Sequence, residues 1–91
     1  MQHKFSEKGK IISKALAEVV REERAILGKS QRIFAFEYGV ERSLINRIEN
    51  ATNEVKFISI CIIAEMLGLK YSQFVAKLEN YLPEGFKLLD D

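Results

Sequence analysis

Arg42, Ser43, Asn46 and Arg47 fall at spacings that put all four side chains on one side of a short helix. Each carries a group suited to the edge of a base pair. A guanidinium can fork onto O6 and N7 of guanine, a carboxamide can pair with adenine, and a hydroxyl can donate to or accept from several bases. Val40, Ile45 and Ile48 recur at the intervals that turn a helix toward a core. The pattern describes a helix pinned by its apolar side and offering hydrogen-bonding groups on the other.

No comparable grouping supports catalysis. The chain has no His-supported nucleophile, no His/Cys/carboxylate set at metal-ligand spacing and no phosphate loop, and Glu22 and Glu23 read as a solvated helix face. No enzyme activity, metal, cofactor or small-molecule ligand is expected. His3 is the sole histidine and lies in a polar start expected to fray. The sole cysteine, Cys61, sits within the apolar run Ile58–Ile63 and is expected to be a buried small hydrophobe. One cysteine makes no internal disulfide, which fits a reducing cytosol and a cytoplasmic location.

The elements that must hold those four residues are helical. Ninety-one residues, 47% of them hydrophobic, fit one domain over 1–91 with a single core over about 8–82 and a tail from 83 to 91. Gly28, Gly39 and Gly68 punctuate stretches of helical period, as glycine does just past helix C-termini. The spacing predicts an all-α fold of five helices, at about Lys8–Leu27, Gln31–Tyr38, Glu41–Glu49, Lys56–Leu67 and Tyr71–Tyr81. Ser30 is placed to cap the second. The fourth is expected to turn Phe57, Ile60, Cys61, Ala64 and Leu67 inward, and the fifth to carry Tyr71, Phe74, Val75, Leu78 and Leu82 on one stripe. The tail could stay loose or dock through Phe86, Leu88 and Leu89.

Charge narrows the partner. The net is +1, but residues 1–50 hold ten Lys/Arg against seven Asp/Glu, while residues 51–91 hold four against six. Any contact with a polyanion should therefore use local arginines in the first half rather than a global basic field. No run approaches the roughly 20 apolar residues of a membrane span, so no membrane partner is expected.

The second and third helices are too short to be stable alone, and only Gly39-Val40 separates them. Two short helices on a tight glycine turn match helix-turn-helix geometry over residues 30–50, with Ala35 small where the helices cross. Ser30-Gln31, Ala35, Gly39-Val40, Ile45, Arg47-Ile48-Glu49-Asn50, Ile63-Ala64 and Leu67-Gly68, with Arg21-Glu22, Arg24 and Leu27-Gly28 before them, resemble the lambda-repressor-like (xenobiotic-response-element) helix-turn-helix family. The resemblance covers about Val20 to Phe74. It implies a five-helix domain, usually dimeric on a two-fold-related double-stranded DNA operator. It implies that Arg42, Ser43 and Arg47 read bases with Asn46 close by, that Gln31 and Asn50 hold phosphates on either side of the groove, and that Arg24 pairs with Glu49. Lys29 and Arg32 are candidates for further phosphate contacts. Three departures stand out: Glu41 where the family often has Ser or Thr, Ala51 in place of a common glycine, and Ile33 and Phe36 where polar residues are usual.

The resulting expectation is a sequence-specific transcription regulator acting as a homodimer. Ile58 and Ile62, with Val75 and Leu78, would lie between subunits unless the C-terminal tail covers them. Controller proteins of restriction–modification systems are similarly short with an apolar fourth helix, though phage repressors and antitoxins share the pattern. The competing expectation is a protein-interaction module that keeps the helix-turn-helix as a scaffold and binds partners through Ile33 and Phe36. Salt-dependent binding to duplex DNA separates the two.

Overall fold

The long apolar-periodic stretch before Gly28 forms one helix, α1 (Glu7–Leu27), and four shorter helices follow: α2 (Gln31–Tyr38), α3 (Arg42–Glu49), α4 (Phe57–Met66) and α5 (Tyr71–Glu79). This is a computed structural model that describes residues 7–51 and 54–89, and among these there is no strand. His3 and residues 52–53 of the connection before α4 lie outside the described residues. Among the described residues no single helix is long and apolar enough to cross a membrane.

One core draws on all five helices. Leu16, Val19 and Val20 of α1 meet Phe34 and Ala35 of α2, Ile45 and Ile48 of α3, Ile63, Ala64 and Met66 of α4, and Phe74 of α5. Full burial of one such large side chain is worth about 1.5–3 kcal/mol, so α2 and α3, each eight residues long, depend on this packing for their existence.

Local chemistry sets the ends of α2. Ser30 is extended and its Oγ accepts from the Ile33 N–H at 3.1 Å, satisfying a first-turn donor. Gly39 adopts the left-handed conformation at φ 68°, which lets the N–H groups of Gly39 and Val40 return to the Phe36 and Ala35 carbonyls and turns the chain sharply into α3. Helix α3 begins at Arg42, one residue later than the spacing suggested, because Glu41 is extended and serves as its N-cap without a side-chain cap bond.

The far end of α3 contains a strained position. Ala51 takes φ 54°, the left-handed region that its Cβ disfavours. Ala51→Gly is therefore expected to raise unfolding stability by about 1 kcal/mol, read as a higher urea midpoint at unchanged slope. An unchanged or lower midpoint would show that the gain in unfolded-chain freedom outweighs the relief.

Two expected faces need correction. Ile60, Ala64 and Leu67 turn inward as expected, joined by Ile63 and Met66, but Phe57 is 69% exposed and Cys61 only half-buried. The reason is that α4 is apolar all round, so periodicity cannot choose its buried side. On α5 only Phe74 is fully buried, while Tyr71 and Val75 are exposed. Leu78, expected between subunits, leans on the chain's own core, as its place one turn after Phe74 dictates. The tail half-buries Phe86, whose N–H bonds the Pro83 carbonyl at 3.0 Å, but Leu88 and Leu89 remain exposed and Ile58 and Ile62 stay uncovered.

The end of α5 is tied to α1 by polar contacts. Lys77 pairs with Glu23 at 3.4 Å. The Tyr81 phenol donates to Glu22, and this bond, with some dehydration and the field of Glu22, Glu18 and Glu23, pushes its pKa up to about 12. Because the folded value lies above the ordinary one near 10, the contact's contribution is complete below pH about 10 and is lost as pH rises through about 12. An absorbance titration should show one of the three tyrosines ionising near pH 12, and Glu22→Gln should bring it down. A titration unmoved by that substitution would contradict the contact.

Candidate nucleic-acid interface

Helix α3 divides cleanly. Ile45 and Ile48 are buried and Leu44 packs partly against the core, while Arg42, Ser43, Asn46 and Arg47 are all exposed. Arg42 makes no side-chain hydrogen bond among the described residues, and the Arg47 Nε donates to the Ser43 carbonyl at 3.3 Å, a local contact that leaves the rest of the guanidinium outward. Ser43 Oγ lies 3.5 Å from a Glu41 carboxylate oxygen, so Glu41 is turned toward Ser43 rather than toward Arg42.

A buried ion pair holds this helix against α1. Arg24 lays its Nε and Nη2 on the two carboxylate oxygens of Glu49, each at 2.8 Å, and its Nη1 on the Lys29 carbonyl at 2.8 Å. The Glu49 side chain is 2% exposed. The bond to Glu49 raises the Arg24 pKa, against the opposing effect of burial and with help from the carboxylate's charge. One turn earlier on α1, Arg21 donates to the main-chain carbonyl of Glu49 while also pairing with Glu18 at 3.1 Å. The carbonyl at the end of α3 is thereby satisfied by a cation, which suits the negative end of a helix dipole.

Gln31 and Asn50, to which the resemblance gives phosphate contacts, both meet Asn46: Asn46 Nδ2 donates to Gln31 Oε1 at 3.4 Å, and Asn50 Nδ2 donates to Asn46 Oδ1 at 3.0 Å. Gln31 also donates to Glu49 at 3.0 Å. The three amides therefore form one polar row, because the ion pair draws the start of α2 onto the end of α3. Lys29 pairs with Glu37 at 2.5 Å, which raises its pKa. The pair is exposed, so solvent and dissolved ions weaken it. Arg32 is exposed and makes no side-chain hydrogen bond among the described residues.

Two residues with no role expected from the sequence also border this region. Arg21 lies one turn before Arg24, and that spacing could have marked both as facing α3. Lys56, with Ser59 and Glu54, borders a recess beside Arg47; nothing in the pattern of the connecting segment brings Lys56 to the end of α3. Among the described residues no group of His, Cys, Asp and Glu is placed to hold a metal ion.

Set against known protein families, curated proteins and solved structures, the chain matches none.

Proposed function

We propose that this chain is a sequence-specific double-stranded DNA-binding transcription regulator of lambda-repressor-like type, acting as a homodimer, with α2 and α3 as its helix-turn-helix. The observation that carries the reading is the division of α3: two isoleucines buried, and two arginines, a serine and an asparagine turned outward on a helix fixed by a buried ion pair. A rigid short helix with outward donors is what the major groove accommodates, and guanidinium forks are its commonest specific contact.

The dimer is supported by α4 and α5. Phe57, Ile58 and Ile62 form an exposed apolar face on α4, with Tyr71 and Val75 of α5 also exposed, and Ile58 is 68% exposed. A helix apolar all round calls for cover on both sides, and a contiguous exposed apolar patch marks an association surface. A second copy of the chain supplies the same patch under two-fold symmetry.

Selection of bound sequences from a random duplex pool tests the reading. The expected motif is two-fold related, with half-site centres about 34 Å apart, one turn of DNA. Arg42→Ala and Arg47→Ala should each cost about 1–3 kcal/mol and relax preference at one base pair per half-site. A pool that yields no motif would remove the assignment. The competing reading, a protein-interaction scaffold, draws on Phe36, which is 80% exposed beside the exposed Ile33 on α2. It would be favoured if binding to duplex were weak, indifferent to sequence and unchanged by both arginine substitutions.

A further inference from the structure

Three side-chain amides stand in a row that ends on a buried carboxylate. Glu49 Oε1 accepts from Gln31 Nε2, Gln31 Oε1 accepts from Asn46 Nδ2, and Asn46 Oδ1 accepts from Asn50 Nδ2. An amide can turn over with little change of shape, so its neighbours decide which end points where. Here the decision comes from one end of the row. Both Glu49 oxygens accept from Arg24, so the group offers Gln31 an acceptor and Gln31 must present its amino end. The Gln31 oxygen then faces Asn46, which must donate in turn, and the Asn46 oxygen imposes the same on Asn50.

We infer that Glu49, which is buried, fixes the hydrogen-bond polarity of the reading surface and makes Gln31, Asn46 and Asn50 a set of outward donors. This rests on the DNA-reading assignment of α3 and names the chemistry that is read. Each amide has two N–H groups. One is used within the row, which leaves one on each residue for a ligand. Those of Gln31 and Asn50 suit phosphate oxygens. That of Asn46 suits an acceptor on a base edge, such as guanine O6 or N7 or thymine O4. Forking onto adenine needs an acceptor beside the donor, and there the Asn46 oxygen would have to share its two lone pairs between adenine and Asn50, whereas an acceptor edge leaves the row undisturbed. Asn46 is thus a specificity-determining residue for an acceptor edge, and Glu49 is a positioning residue that acts through Gln31.

The test is selection from a random duplex pool with the wild type, Asn46→Ala, Asn46→Asp and Gln31→Ala. At the base pair where Asn46→Ala relaxes preference, the wild type should favour guanine or thymine on the contacted strand. Asn46→Asp keeps the shape but only accepts, so preference there should move by roughly tenfold toward cytosine, whose amino group donates. Gln31→Ala cuts the row while leaving the ion pair, and should broaden the choice at that same base pair. In the free protein, nuclear magnetic resonance should find one slowly exchanging amide proton on Asn46, lost in Gln31→Ala. A wild-type motif with adenine at that position, or an Asn46→Asp variant with an unchanged choice, would overturn the inference and leave the DNA reading intact. A wild type that selects no motif would overturn both.

Discussion

Ile62→Glu is expected to separate the protein into monomers and to lower affinity for a two-fold DNA site by about 100- to 10,000-fold. Ile62 lies one turn after Ile58 on the outward face of α4, and both are exposed in the single chain. In a two-fold dimer the substitution enters the interface twice. Each new carboxylate would lose water with no cation among the exposed apolar residues to receive it. Loss of the dimer unlinks the two reading helices, and the second half-site then binds without the high effective concentration that linkage provides. The fold itself should survive, because Ile62 contributes little to the core and glutamate is a good helix former. Sedimentation with the two-fold duplex and without it, alongside circular dichroism, separates the effects. A wild type that is monomeric at high concentration under both conditions would contradict the dimer, as would a variant that binds as tightly as the wild type.

The second large effect is on stability. Arg24→Ala should cost about 3–5 kcal/mol, because it leaves the Glu49 carboxylate buried with its cation removed. That is a large share of the roughly 5–15 kcal/mol that holds a domain folded. Arg24→Lys should recover only part of it, since an ammonium cannot lay two N–H groups on the carboxylate and a third on the Lys29 carbonyl. Replacing Arg24 and Glu49 together by leucine should be milder than Arg24→Ala, because the desolvated charges leave together. Urea unfolding of the four proteins checks the order. A cost below about 1 kcal/mol for Arg24→Ala would mean that the pair behaves as an exposed one.

Much of the fold could be read from the chain because its signals are local. Ser30 caps α2 through a bond three residues long, and Gly39 ends it through its own backbone. Five helices follow from glycines set between periodic segments. The exposure of Phe57 could not be read, because α4 shows little difference between its sides and only packing against α5 and the common core selects its inner arc. On the candidate interface, the outward set on α3 follows from the spacing of Ile45 and Ile48. The amide row does not. It depends on Glu49 reaching back to the start of α2, a juxtaposition made by the fold and absent from any local spacing. The turn of Lys29 toward Glu37 was hidden for the same reason, since eight residues across a helix start match no helical interval.

Binding of the wild-type protein to a selected duplex and to a scrambled one, each at two salt concentrations, decides whether α3 reads duplex DNA. If it does, the selected duplex is clearly preferred, and both affinities fall steeply with salt, because each neutralised phosphate releases counterions. Equal and weak binding to both duplexes, flat in salt, would contradict that reading.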